Sequence, residues 1–170
     1  MVQKCFYINF EPDVIAQRLT GFYGYCFFIR GKNKGIIMKL GFVVIYVEDV
    51  QEILNFYQQA FDLKVRMEYK EHDSLLYGEL ETEGAILGIA SHIMGKDSLK
   101  GDYQKLSINN LPFGQTMVFV TNEVHQKWDD AVKAGAVAIS APHEKPWGQT
   151  VAYLRDTAGT LIEICTPMGG

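Results

Sequence analysis

The chain is expected to be an α+β protein built from two copies of one strand–helix–three-strand module in tandem. Three observations predict this. Glu81 to Ser91 repeats the pattern of Asp156 to Thr166 at an offset of 75 residues, with Gly84 matching Gly159. Gly41 to Val47 resembles Gly114 to Val120 at an offset of 73, with Phe42 matching Gln115. Each of these two apolar runs then leads into helical spacing.

Taken in order, the first strand is the β-prone run Gly41 to Val47. Val50, Ile53, Leu54, Tyr57 and Phe61 follow at i, i+3, i+4, i+7 and i+11, behind an Asp49 cap with Glu52 three residues on. Lys70 to Asp73 is a polar turn, and Glu81 to Ser91 is the turn and last strand of the first module. His92 to Leu111, rich in Gly, Lys, Asp, Ser and Asn, joins the modules and shows no period of its own. Val124, Trp128, Ala131 and Val132 form the second helical stripe after Asn122, and Gly135 stops it. Thr150 to Leu154 and Thr160 to Cys165 then make a hairpin around Asp156 to Gly159, turn chemistry ending in a glycine free to take positive φ.

The organisation expected is therefore an extension over residues 1–37, outside the fold and poorly ordered, and one domain over 38–170. Module one spans 39–92, the linker 93–113 and module two 114–168. The extension is aromatic-rich without a clear period, and because the module begins directly after Met38, that methionine is the expected natural start. Its apolar run Gly24 to Ile29 is far short of the roughly 20 residues that a membrane span needs. Glu11 and Asp13 precede that run and no small-residue cleavage site follows, so neither a signal peptide nor a membrane partner is expected.

These pieces resemble the vicinal oxygen chelate superfamily, which includes glyoxalase I, bleomycin- and fosfomycin-resistance proteins and extradiol dioxygenases. The resemblance covers Lys39 to Met168 and is most specific in Tyr46 to Val50 leading into Asn55-Phe56-Tyr57, and in the hairpin from Pro146-Trp147-Gly148 to Ile164. Thr157 stands where the family's turn carries proline, at a cost in turn rigidity. The resemblance implies paired modules forming a cup-shaped mixed sheet, the glyoxalase/bleomycin-resistance fold. The cup closes within one chain or between two.

Composition narrows the function. A net charge of −4, with no basic run, excludes a nucleic-acid partner from the expectation. Three cysteines, odd in number and without paired spacing, fit a reducing cytoplasm better than a disulfide framework.

Glu163 is the residue that asks for an explanation. It is a lone carboxylate inside the apolar strand Leu161 to Cys165, where burying an unpaired charge costs several kcal/mol. The resemblance implies a metal site with one ligand from the first and last strand of each module. Here those positions are Phe42, Gly88, Gln115 and Glu163. Only Glu163 is a strong ligand, Gln115 is a weak one, and the other two cannot coordinate, so no metal and no cofactor are expected.

Alternation places Phe42, Val44 and Tyr46 on one face of the first strand, Gln115, Met117 and Phe119 on one face of the fifth, and Leu161, Glu163 and Cys165 on the last. Read as the inner face of the cup, these form an apolar, aromatic and sulfur-lined pocket with Gln115 and Glu163 as polar handles. Val118 and Val120 are then expected to pack against the helices. Trp147 lies over the mouth, Tyr153 adds contact area, and His143, beside Glu144, is the histidine closest to the rim. The function expected is a metal-free protein that binds an apolar or aromatic small molecule. The alternative is a glyoxalase-type lyase or isomerase with Glu163 as general base, with or without a divalent metal. A homodimer is expected, because the inner apolar faces would otherwise stay partly wet.

Overall fold

A computed structural model describes residues 38–169. The expectations for residues 1–37 lie outside the described residues. The order of elements is β1 (Phe42–Val47), α1 (Val50–Phe61), β2 (Val65–Glu71), β3 (Ser74–Leu80), β4 (Ile86–Ser91), α2 (His92–Leu99), β5 (Met117–Val120), α3 (Val124–Lys133), β6 (Val137–Glu144), β7 (Thr150–Arg155) and β8 (Leu161–Cys165). Two four-stranded mixed sheets result, ordered β1-β4-β3-β2 and β5-β8-β7-β6. In each, the module's first strand pairs in parallel with its last, so the repeat read from the sequence is a repeat of topology.

α1 forms where its apolar spacing and cap predict. The Asp49 carboxylate accepts the Glu52 backbone N–H at 3.0 Å, and Val50, Ile53, Leu54, Phe56, Tyr57 and Ala60 are buried. α1 and α3 pack on each other and share one core with Ile45, Leu80, Ile89, Leu154, Ile162 and Ile164. Burying such side chains is worth about 2 kcal/mol each. The Asp156 carboxylate, fully buried, accepts from the Tyr57 hydroxyl at 2.9 Å and from the Gly159 and Thr160 N–H groups at 2.7 Å, tying the module-two turn to the module-one helix.

The linker differs from expectation. It starts with α2, capped by the Ser91 hydroxyl accepting from Met94 N–H. α2 lies over the face of the first sheet turned away from α1, where Gly95 is so close to Tyr46 that a Cβ there would come within 2.8 Å of its ring. The rest of the linker is fastened to module two by Arg155, whose guanidinium donates to the carbonyls of Ser107, Ile108 and Asn110. Among the described residues no helix is long and apolar enough to cross a membrane.

Candidate functional site

β1 and β8 present the faces expected of them. Ile45 and Val47 are buried against the helices, whereas Phe42, half exposed, and Val44 point the other way. On β8 Ile162 and Ile164 are in the core, and Glu163 faces away. β5 is phased the opposite way from the sequence reading. Met117 and Phe119 pack on the core, the Phe119 ring stacked on Phe61 at 4.8 Å, and Val118 and Val120 are 51% and 61% exposed. The cause is chemical: Met117 to Val120 is apolar at every position, so alternation carries no phase, and the aromatic end of α1 claims Phe119.

The true outward row of module two is read from register. Val118 is opposite Glu163, Glu163 opposite Tyr153, and Tyr153 opposite Ser140, across β5, β8, β7 and β6. Burial first, then the charge of Glu163 and a hydrogen bond to it, push the Tyr153 hydroxyl pKa up. Burial and the same carboxylate push the Cys165 thiol up, holding it protonated and unreactive. Around this pair stand Lys145, Trp147 and His143. The Lys145 ammonium lies 5.4 Å from the Tyr153 ring centroid and 6.0 Å from that of Trp147. The Trp147 indole donates to Gln149 Oε1, and Gln149 donates onward to the Thr166 carbonyl. His143 is exposed, with Nδ1 2.9 Å from the Ala141 carbonyl and its ring 6.4 Å from Tyr153.

Module one is arranged otherwise. Tyr46 leans on Tyr103 at 5.2 Å under α2, and the Tyr103 hydroxyl is 2.6 Å from His92 Nδ1. Gly88, at the position matching Glu163, has its side-chain space taken: a Cβ there would meet the Tyr77 hydroxyl at 2.9 Å and Val44 Cγ2 at 3.2 Å. That hydroxyl donates to Glu79 Oε1 at 3.1 Å, and Arg66 Nε is 3.1 Å from Glu79 Oε2, so the buried carboxylate is fully engaged.

The donors do not fit the metal that the fold family uses. Phe42 is apolar, Tyr77 fills the place of a ligand at Gly88, Gln115 precedes β5 on the exposed surface, and Glu163 stands alone as a strong ligand among the four, opposite Tyr153. Among the described residues no three His, Cys, Asp or Glu side chains are grouped to hold an ion.

A cavity of about 680 Å³ lies between β1 and β5, the facing edge strands of the two sheets. Val43, Val44, Ile45 and Leu87 form one wall and Met117 to Val120 the other, with Gln115, Thr116, Thr160 and Glu83 as its polar groups. Of the residues singled out from sequence, Gln115, Met117 and Phe119 line it. His143, Trp147 and Tyr153 gather instead around Glu163, and Phe42 and Tyr46 belong to neither group. Lys145, Val118, Val120 and the Arg66–Tyr77–Glu79 group are not found by reading the sequence. Counting β5 outward from Phe119 as a core residue would have exposed the two valines.

The glyoxalase-like domain family matches residues 40–169. Among solved structures, a glyoxalase/bleomycin resistance protein/dioxygenase family enzyme from Burkholderia phytofirmans PsJN is 22% identical, with a TM-score of 0.58 over 76% of this chain and 98% of that one. A glyoxalase-related enzyme from Fulvimarina pelagi is 14% identical, with a TM-score of 0.66 over 77% and 89%. TioX from Micromonospora sp. ML1 is 17% identical, with a TM-score of 0.57 over 74% and 96%. At these identities the likeness shows the fold. No curated protein matches the chain by sequence.

Proposed function

The chain belongs to the glyoxalase-like domain family, within the vicinal oxygen chelate superfamily, and from that premise we propose that it is a metal-free binding protein for an apolar or aromatic small molecule. The observation that carries this reading is the cavity of about 680 Å³ between β1 and β5. Its size is that of a small-molecule site, and its walls are apolar with few polar groups, the usual form of such a site. Burial of an apolar body there removes Val43, Val44, Val118 and Val120 from water, a gain of about 25 cal/mol per Å². Glu163 and Tyr153, one and two strands away from Val118, supply polar contacts at the edge. Titration with Nile red, an uncharged apolar dye, tests it. Emission should rise and saturate with the wild-type protein, and Val44→Glu with Val118→Glu should weaken binding at least about tenfold, the cost of bringing charge into an apolar wall. No saturable signal, or the same affinity in the variant, rejects the reading.

The lyase alternative is favoured by one observation, the placing of Glu163 opposite Tyr153 across β8 and β7, which sets a carboxylate beside a phenol. It calls for a divalent cation to stabilise an enolate, an effect worth several kcal/mol, and the described side chains form no ligand set for one. The binding reading needs no such group, and we adopt it.

A further inference from the structure

We propose that the face of the second sheet around Glu163 recognises a small organic cation, an ammonium or amidinium group, and that the Lys145 ammonium holds the place this group takes. The inference deepens the binding-protein reading and rests on it for the position of the ligand's apolar body.

Lys145 is half-buried, yet among the described residues no carboxylate stands within ion-pair reach of its Nζ. The charge is held by two ring faces, Tyr153 at 5.4 Å and Trp147 at 6.0 Å, both within the range of cation–π attraction. Each ring is fixed from outside the cluster. The Trp147 indole is anchored through Gln149 to the Thr166 carbonyl at the end of β8. Tyr153 is held in β7 opposite Glu163 of β8, so the ring and the carboxylate share one face of the sheet. A pair of aromatic faces, with a carboxylate on the same face of the sheet, favours a cation of any origin. Lys145 is simply the one the chain supplies.

A ligand cation competes on good terms. A primary ammonium is strongly hydrated and loses much on leaving water, whereas a quaternary ammonium or an amidinium is weakly hydrated and presents more surface to the rings. Lys145 sits on a flexible stem beside the exposed Trp147 and can swing into solvent. Tyr153 is two strand spacings from Val118 on the cavity wall, roughly 10 Å. The ligand class is thus an apolar body with a cationic group about that far from it.

The test uses choline and 3,3-dimethylbutan-1-ol, the same shape with carbon in place of the charged nitrogen. Each is titrated into the full chain while the Trp147 indole N–H is followed by two-dimensional NMR. Choline should move that signal with an affinity at least about fivefold above that of the alcohol, the margin expected of a cation–π pair. Lys145→Gln, which removes the internal competitor, should tighten choline by about five- to tenfold and leave the alcohol unchanged. Equal response to both probes, or choline affinity indifferent to Lys145→Gln, overturns the cation site. Nile red separates the two readings. Nile red bound with choline failing sinks only the cation site, and choline bound with Nile red failing sinks only the apolar cavity.

Discussion

Gly88 shows how far a single residue can be read. Its inability to coordinate is plain from sequence, but the use made of the vacated space is not. Tyr77 comes from β3, eleven positions upstream, and only the β3–β4 register brings its hydroxyl over Gly88 and beside Glu79. Restoring a ligand at Gly88 would therefore meet a ring already bonded to a buried, ion-paired carboxylate. Glu163 is the converse case. A lone charge in an apolar strand is conspicuous in sequence, and its outward face follows from Ile162 and Ile164 being core. Its partner Tyr153 becomes visible only with strand pairing. From the donor set we expect less than one-tenth of an equivalent of Ni, Zn, Mn or Fe in purified protein, about the background of adventitious binding by a site with a single strong ligand. Elemental analysis is the check, and about one metal per chain that is lost on Glu163→Gln would reverse the metal-free reading.

Among the elements, α1 and β8 carry polar residues at positions that fix their phase, and β5 and α2 do not. α1 alternates apolar and polar residues at helical spacing behind a capping aspartate, so its boundaries and buried face follow from sequence. β5 is four apolar residues, and its phase is decided by Phe61 and Tyr57 from a distant helix. α2 has almost no amphipathic pattern and exists because Ser91 caps it and Tyr46 and Tyr103 receive it. Two expected outcomes belong here. Gly159 has φ of +105°, and a Cβ there would meet the Ser107 carbonyl carbon at 2.7 Å and the Ile108 nitrogen at 2.9 Å. Backbone cannot yield as a side chain can, so Gly159→Ala should cost about 3 kcal/mol in urea unfolding, from strain and the displaced linker. The second concerns His92, at the start of α2. Burial, then the charge of Lys105, holds its pKa below the ordinary 6.5, with Glu48 opposing. The folded state then binds fewer protons than the unfolded chain just below that pH. Stability should rise with pH through this window and fall as pH drops beneath about 6.5. Urea midpoints at pH 7.5 and 5.5 should differ more in the wild type than in His92→Gln, and equal differences would remove His92 from the account.

At the scale of the whole molecule, the two modules are joined behind the sheets, through α1, α3 and the Tyr57–Asp156 bond, and not along their edges. Among the described residues β1 and β5 have no strand partner on the sides that face the cavity, and both carry apolar residues outward. Phe42 is 50% exposed, Val44 39%, Val118 51% and Val120 61%. Edge strands of this kind invite pairing, and soluble proteins ordinarily blunt them with charge, proline or a covering segment. Among the described residues neither strand carries a charge or a proline, and no described segment pairs with its open side. A second copy related by a two-fold axis would present the same stripe in return and close the mouth of the cavity, so that ligand and partner share these apolar walls, at little conformational cost because both strands are already formed. We therefore expect the full chain to be a homodimer at micromolar concentration. Light scattering should give twice the chain mass of 19.2 kDa. Val118→Asp with Val120→Asp should return a folded single chain with unchanged far-ultraviolet circular dichroism, since neither side chain contributes to the core. A wild-type mass of one chain rejects the dimer. A dimer that survives both aspartates places the interface elsewhere.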